Sequence, residues 1–199
     1  MTDAGLTWGE HIERVKRKIK SFLATFRRIH YLLDVGMRKN LYNSHVHPYF
    51  LHLASVWGCA AETRMRQLEV MQNKAIRHIF WYDYHIEGLT TDELYMKHRI
   101  MKVCDLVRYE SSMMIFKVRS GLLRMDFSIP SNEEVGVRSS RRRSLLNIPW
   151  SRTGYQRNSI LHRGVHWSNQ LPRNVRHAEN VQLFKRGLKD SILNPQSRS

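Results

Sequence analysis

The chain contains few of the residues from which disulfide-bonded, membrane-spanning or secreted proteins are built. Its 199 residues include only two cysteines, Cys59 and Cys104, which excludes a disulfide framework and fits a reducing compartment. The least polar stretch, residues 50–61, includes His52 and is much shorter than the ~18 residues of a spanning helix. Residues 1–5 lack the basic start and apolar run of a secretory signal. We therefore expect an intracellular protein, nuclear or cytoplasmic, with no membrane partner.

Sequence motifs for catalysis are also missing. The sequence has no glycine-rich phosphate loop and no nucleophile elbow. Its seven aspartates are scattered, whereas two-metal phosphoryl transfer needs carboxylates that hold two ions ~4 Å apart. Two histidine groups, His45 with His47 and His52, and His162 with His166, have no cysteine or carboxylate at metal-ligand spacing. We predict no catalytic residue, no metal site and no cofactor.

Positive charge is the strongest feature of the composition. Lysine and arginine number 33 against 17 aspartates and glutamates, which gives a net charge of +16. Such a chain attracts polyanions, of which nucleic acid is the most common inside cells, although an acidic protein or membrane surface has the same chemistry. Residues 1–100 carry 15 basic and 10 acidic side chains, and residues 101–199 carry 18 and 7. The C-terminal half is therefore where we expect phosphate contacts.

The N-terminal region predicts a long amphipathic helix over residues 7–33, started by a capping box of Thr7 and Glu10. Apolar residues recur every three or four positions along one face. The basic residues outside that face are Arg14, Lys16, Arg17, Lys18, Lys20, Arg27 and Arg28. This pattern fits the solvated side of a bundle helix, or a helix that contacts a nucleic-acid backbone through Lys16, Lys20 and Arg27.

Further helices are predicted up to about residue 125, which gives a helical bundle. Their expected ranges are 38–46, stopped by Pro48, then 49–57, 63–81, a short helix for which Thr90-Thr91-Asp92-Glu93 offers cap residues, and 100–118. Residues 126–199 are predicted to be a basic, loop-rich region. It contains a short β-hairpin that pairs residues 145–148 with 159–161, and helices over 162–171 and 180–193. The fold class is therefore mainly α.

Arginines cluster in this second region, at Arg138, Arg141, Arg142, Arg143, Arg152, Arg157 and Arg163. They alternate with Trp150, Tyr155 and Trp167. Guanidinium groups bind phosphate in a bidentate manner and aromatic rings stack on bases, so this pattern favours nucleic-acid binding. A basic loop beside packed tryptophans would give the same pattern.

Two ordered sets of short segments run through the chain. The upstream set comprises Leu6-Thr7-Trp8 with His11-Ile12, Leu41-Tyr42-Asn43-Ser44, Pro48-Tyr49, Val56-Trp57-Gly58, and Leu68 followed by Gln72-Asn73-Lys74-Ala75-Ile76-Arg77. The downstream set comprises Arg138-Ser139, Leu146-Asn147-Ile148-Pro149, Arg152-Thr153, Asn158-Ser159-Ile160, Gly164, Trp167-Ser168-Asn169, Leu171-Pro172, Val175-Arg176, Phe184-Lys185 and Leu188-Lys189. In this order and at this spacing, they resemble the C-terminal end of jockey-like non-LTR retrotransposon reverse transcriptases.

The resemblance covers nearly the whole chain and implies a thumb-like helical region over residues 1–125, followed by a basic C-terminal region over 126–199. In that family the palm, with its paired catalytic aspartates, lies upstream of the Leu-Thr-Trp segment. This chain begins shortly before that segment, so the resemblance implies a non-catalytic fragment or relic of an RNA-directed DNA polymerase. The role that remains is sequence-tolerant binding of a template–primer duplex through its backbone.

Two alternatives stay open at this stage. The chain could be a helical protein-interaction module, or a translated remnant without function. Loss of a neighbouring palm would expose apolar side chains, among them Trp8, Phe22 and Phe26, and would favour self-association. The sequence leaves open whether RNA, DNA or a hybrid is the preferred nucleic acid.

Overall fold

The computed structural model describes residues 8–52, 54–58, 60–136 and 144–193, which are mainly α-helical. These ranges contain no β-strand, only an isolated antiparallel bridge between Ser131 and Leu146. None of the helices in them combines the length and the apolar character needed to cross a membrane. The chain forms two compact units, Met1–Leu106 and Val107–Ser199. The change of composition near residue 125 falls inside the second unit.

The described residues of the first unit are built around one central helix, which four others contact. Its elements are α1 (Gly9–Ile29), a 3-10 turn (His30–Leu32), α2 (Val35–His45), α3 (His47–Leu51), α4 (Ala54–Trp57), α5 (Glu62–Ile79), α6 (Trp81–His85) and α7 (Thr91–Lys97). The next helix, α8, runs over Val103–Arg119. The central helix is α5, which contacts α1, α2, α6 and α7.

The amphipathic character predicted for the first helix is confirmed. Ile12, Ile19 and Phe26 are almost fully buried, with Val15 and Leu23 between them. Burial of this face against α5 holds α1 in place, since each apolar side chain removed from water contributes about 1.5–3 kcal/mol. The expected exposure of Phe26 is therefore wrong.

Helix ends in the first unit agree with the prediction at Thr90 and differ from it at Pro48. The cap predicted at Thr90 is confirmed: its hydroxyl accepts from the Glu93 amide, and the Glu93 carboxylate accepts from the Thr90 amide. The structure begins α1 after Trp8, which has a φ of 56° and no capping side chain, and the predicted Thr7 cap lies outside the described residues. Pro48 lies in the first turn of α3, where its missing amide costs nothing, so the predicted helix over 49–57 starts earlier.

A buried glutamine joins three parts of the first unit. Gln72 on α5 has no exposed surface and donates to the hydroxyl of Tyr42 on α2 at 2.9 Å. It also donates to the carbonyl of Met101 at 2.9 Å and accepts from the amide of Val103 at 2.8 Å. All the hydrogen bonds of this buried amide are therefore used within the protein, which fixes the position of the segment that leads into α8.

Two further residues of the segment from Gln72 to Arg77 have structural roles. Asn73 accepts a hydrogen bond from the hydroxyl of Tyr95 at 2.8 Å, and Arg77 donates to the Thr91 hydroxyl at 2.8 Å. These bonds attach α5 to α7. The motif that contributed to the family resemblance thus serves the packing of the first unit.

The second unit contains the remainder of α8 and four shorter helices. They are α9 (Gly154–Asn158), α10 (Ile160–Asn169), α11 (Arg173–Arg176) and α12 (Val181–Leu193). The last helix agrees closely with the predicted range of 180–193. Phe184 on α12 stacks on Phe116 of α8 with ring centroids 4.1 Å apart, and Leu188 is fully buried.

The predicted β-hairpin is wrong. Ile160 and Leu161 lie in the first turn of α10, where the hydroxyl of Ser159 accepts from an amide and caps the helix. Leu146 instead bridges to Ser131. A serine just before a helical run satisfies orphan amides locally, so the helix start prevails over a pairing with few ladder bonds.

Candidate nucleic-acid interface

Ten cationic residues are candidates for phosphate contacts, and the structure describes six of them. Arg138, Arg141, Arg142 and Arg143 lie outside the described residues. Those that can be placed are Lys16, Lys20 and Arg27 in the first unit and Arg152, Arg157 and Arg163 in the second.

Lys16 is used inside the first unit. Its ammonium group lies 2.6 Å from the carboxylate of Glu13 and 3.3 Å from the side-chain oxygen of Gln67 on α5. The side chain is only 19% exposed. The hydrogen bond from Lys16 holds the pKa of Glu13 below its usual value. Lys16 therefore attaches α1 to α5, and its charge is compensated locally.

Arg27 also has a partner, although its side chain is exposed. Its guanidinium meets Nε2 of His78 at 2.5 Å, which requires that nitrogen to accept and the ring to be neutral. Burial lowers the pKa of His78, and the nearby charges of Arg27, His85 and His30 lower it further. Both effects favour the neutral ring that Arg27 needs.

The remaining cations of α1 face the solvent. Lys20 is exposed and makes no ion pair with any described residue, and the same holds for Arg17, Lys18 and Arg28. The outer side of α1 thus presents uncompensated charge at Lys20 and its neighbours, while Lys16 and Arg27 are engaged.

Arg152 precedes α9 and Arg157 lies in its last turn, and both are exposed. The backbone there is well defined, because the Thr153 hydroxyl accepts from the Gln156 amide and the Gln156 side chain accepts from the Thr153 amide. Beside them, Trp150 is 83% exposed, an unusual position for a tryptophan. Two guanidinium groups and one open aromatic ring therefore lie within one short segment.

Arg163 differs from these two because it lies over the ring of Trp167, with its guanidinium carbon 4.6 Å from the ring centroid. This cation–π contact occupies one face of Trp167. Arg163, expected to bind phosphate, and Trp167, expected to stack on a base, are therefore in contact with each other. The side chain of Tyr155 lies outside what the structure describes. Trp150 is thus the exposed ring among the described aromatic candidates.

Further cations lie on the outer side of α12 and near α11. Lys185, Arg186 and Lys189 are exposed, as is Arg173. The helical period placed Lys185, Arg186 and Lys189 opposite the apolar residues of α12, but sequence reasoning did not include them among the site residues. The pattern that could have identified them is the one that identified α1, namely an amphipathic helix with basic residues on the side opposite its apolar face.

A cavity of about 210 Å³ lies within the second unit, between α8, α10, α11 and α12. Its lining includes Arg119, Ser120, Ser168, Arg176, His177 and Phe184. Nε and Nη1 of Arg176 and Oγ of Ser168 are buried and have no hydrogen-bond partner among the described residues. Sequence reasoning missed this cavity, although Ser168, Arg176 and Phe184 all belong to the segments that carry the family resemblance.

No cluster suited to a metal ion occurs in the described ranges, where no three histidine, cysteine, aspartate or glutamate side chains converge. The buried carboxylate of Asp83 is held by Nε2 of His98 at 2.6 Å and by the ammonium of Lys97 at 3.4 Å. The His98 ring stacks on Phe80 with centroids 3.6 Å apart. This histidine–aspartate pair is therefore enclosed in the core of the first unit.

Comparison with known proteins gives one partial similarity. No protein-family model matches the chain, and no solved structure matches it. The chain is 26% identical over 91 residues to a Drosophila melanogaster protein described as a probable RNA-directed DNA polymerase from transposon BS. The aligned residues cover 44% of this chain and only 10% of that polymerase. The similarity supports a relationship to retrotransposon reverse transcriptases.

Proposed function

We propose that this chain binds nucleic acid through the phosphate backbone, as a segment related to the thumb and C-terminal region of jockey-like non-LTR reverse transcriptases. The observation that supports this most is the charge of the second unit. Residues 107–199 carry 17 basic and 6 acidic side chains, against 16 and 11 in residues 1–106. Exposed cations without compensating carboxylates gain most from phosphate, because each phosphate neutralised releases condensed counterions.

The binding surface that we propose combines Arg152, Arg157 and Trp150 with the arginines at 138–143. Guanidinium groups would contact phosphates, and Trp150 would stack on an unpaired base, which is sequence-tolerant because every base has a π-face. Arg163 contributes by orienting Trp167 rather than as an independent phosphate contact. RNA, DNA and hybrid duplexes all offer this chemistry.

The salt dependence of binding tests this proposal. If four to six of the arginines meet phosphates, log affinity for duplex DNA should fall against log salt with a slope of roughly −4 to −5. Replacing Arg141, Arg142 and Arg143 together by alanine should flatten the slope by up to about 3 units, and Arg152→Ala with Arg157→Ala by about 2. Both effects should be the same for unrelated sequences.

The matched control is a triple alanine variant of Lys16, Lys20 and Arg27. Because Lys16 and Arg27 already have partners, this change should alter the slope by less than about 1 unit. Affinity that does not depend on salt would contradict the proposal. A triple-arginine variant that loses binding to one sequence only would show base readout in place of backbone binding.

We further propose that these 199 residues do not polymerise DNA by themselves. None of the aspartates are adjacent in the sequence, and the chain aligns with only a tenth of the transposon polymerase. Primer extension on an RNA template with magnesium or manganese measures this directly. Reproducible incorporation above a mock preparation would contradict it.

An exposed apolar segment favours a second candidate, a protein-interaction module. Tyr31 and Leu32 are about 70% and 69% exposed, and Val35 and Met37 beside them are also exposed. Such a cluster fits a surface that a protein partner or a second copy covers. This candidate predicts binding that survives high salt, which separates it from phosphate-dominated binding.

A further inference from the structure

The cavity of the second unit combines features that point to an anionic ligand. Arg176, on the short helix α11, lines this cavity, and its Nε and Nη1 are buried with no acceptor among the described residues. The buried hydroxyl of Ser168 on α10, whose residue is only 7% exposed, lines the same cavity and is also without a partner. An unpartnered buried donor costs about 1–3 kcal/mol, and more when it is charged, so a ligand that accepts from these groups would recover that cost.

The rest of the lining fits an acceptor with negative charge. Arg119 adds a second guanidinium, which donates to the carbonyl of Ile129 at 3.3 Å and is thereby oriented beside the cavity. Ser120 and His177 are exposed members of the lining and open it to solvent. Among the described residues, the lining contains no aspartate or glutamate that would repel an anion. We propose that this cavity binds a phosphate group, with Arg176 and Ser168 as its buried donors.

The size of the cavity agrees with a single phosphate group rather than with a large molecule. At about 210 Å³ it is below the roughly 300–1,000 Å³ of sites that enclose drug-sized ligands. A phosphate accepts charge-assisted hydrogen bonds through several oxygens, whereas a chloride ion is a single acceptor, so phosphate suits separate donors from Arg176 and Ser168 better. The stacked rings of Phe116 and Phe184 form an apolar wall beside these donors.

The phosphate has two sources with the same chemistry, namely the free ion and the terminal phosphate of a nucleic acid. The inference rests on the proposed function only where the phosphate belongs to a nucleic-acid end. Binding of inorganic phosphate tests the cavity independently, because this ion has no nucleoside that could bind at another surface.

The experiment titrates the full chain with inorganic phosphate at constant ionic strength, with chloride as the balancing anion, by calorimetry and by thermal shift. The same titrations use adenosine monophosphate, and an oligonucleotide with or without a 5′-phosphate. The five heavy atoms of phosphate limit Kd to about micromolar at best, so the titration extends to about 10 mM. We expect saturable binding and a rise in Tm with phosphate.

Three variants test the residues named. Arg176→Gln should weaken phosphate binding roughly tenfold or more, since it removes a charged donor, and Ser168→Ala about threefold. Arg173→Gln is the matched control, because this exposed arginine lies on the same short helix but outside the cavity lining. It should leave phosphate affinity within twofold of the wild type. Circular dichroism establishes that each variant is folded.

Two results would overturn the inference: no saturable phosphate binding up to 10 mM, or equal losses in Arg176→Gln and Arg173→Gln. A normal phosphate titration together with no oligonucleotide binding would refute the proposed function and leave the cavity site standing. Tighter binding of the 5′-phosphorylated oligonucleotide than of its unphosphorylated form, lost in Arg176→Gln, would assign the phosphate to a nucleic-acid end.

Discussion

Particular buried polar side chains of the two units differ in whether they have a hydrogen-bond partner. In the first, the amide of Gln72 makes three hydrogen bonds, and Asp83 lies between His98 and Lys97. In the second, Arg176 and Ser168 present buried donors without a partner among the described residues. Buried polar groups in folded proteins are nearly always hydrogen-bonded. Gln72 and Asp83 thus serve the packing of the first unit, although Nε1 of Trp8 and Nε2 of His11 in that unit also lack a partner among the described residues. What distinguishes Arg176 and Ser168 is that both line one cavity.

The cationic residues of the two units differ in the same direction. In the first, Lys16, Lys97 and Lys102 lie within 2.8 Å of a carboxylate oxygen. In the second, Arg152 and Arg157 are exposed and make no ion pair with a described residue. Exposed ion pairs add little stability, so the main effect of pairing in the first unit is to neutralise its field. The field of the second unit remains to attract polyanions.

Substitution of Gln72 should produce the largest effect on stability. Gln72→Leu keeps the side chain similar in volume but leaves the Tyr42 hydroxyl, the Met101 carbonyl and the Val103 amide without a partner. We expect a loss of about 3–5 kcal/mol in the free energy of unfolding, measured with urea. Lys74→Leu, an exposed change on the same helix, should cost less than about 0.5 kcal/mol. A loss below about 1 kcal/mol for Gln72→Leu would refute the network's structural role.

Self-association should depend on the apolar segment that follows α1. Replacement of Tyr31 and Leu32 by serine removes two exposed apolar side chains from the surface that we expect to be covered. Sedimentation equilibrium at moderate salt should show an association constant lowered about tenfold or more. Wild-type protein that remains monomeric over a wide concentration range would show that neither unit needs a covering partner.

Close packing in the second unit can be tested at Gly187 on α12. A Cβ at this position would lie 2.9 Å from Cγ2 of Val175, a buried and branched side chain that cannot move aside. Gly187→Ala should therefore destabilise by about 1 kcal/mol, because the overpacking cost of about 1–3 kcal/mol exceeds the gain in helix propensity. Gly154→Ala, whose Cβ meets open space, is the control and should not destabilise. If Gly187→Ala were more stable than the wild type, α11 would have to shift away from α12 to make room for the added methyl group.

The smallest effect should be a pH dependence of the first unit. Burial lowers the pKa of His78, and the nearby charges of Arg27, His85 and His30 lower it further. Burial also lowers the pKa of His11, and the nearby charges of His52 and Arg14 lower it further. Below about pH 6.5 the unfolded chain takes up these protons first, so the stability present at neutral pH is lost as the pH falls.

Urea midpoints between pH 7.5 and 5 measure this dependence. His78→Gln retains an acceptor for Arg27 and removes the titrating ring, so it should flatten the curve. If stability falls as steeply with pH in the His78→Gln variant as in the wild type, groups other than His78 cause the pH dependence.

Much of the helical framework could be predicted from the sequence, because its signals are local. The spacing of Ile12, Ile19 and Phe26 identified the buried face of α1, and Thr90 with Glu93 identified the start of α7. The hairpin at residues 145–148 and 159–161 was wrong because short apolar runs fit strands and helices equally. Ser159 decided between them by capping α10.

The candidate site could be predicted less well than the helices, because it depends on neighbours that are distant in sequence. Lys16 and Lys20 both fall outside the apolar arc of α1, yet only Lys16 meets Gln67, 51 residues away. Arg119, Ser168 and Arg176 come from three helices and share a lining only after α8, α10 and α11 pack. No periodicity or composition brings such residues together.

The sequence by itself determined the helical character, the apolar faces and the excess of positive charge, since composition and short-range spacing carry these properties. Tertiary structure alone decided which cations are compensated and which are available. It also decided which polar side chains are satisfied, as Gln72 is, and which are buried without a partner, as Arg176 is. The physical reason is that hydrogen bonds and ion pairs act through space over a few ångströms, so their partners are set by packing rather than by order along the chain.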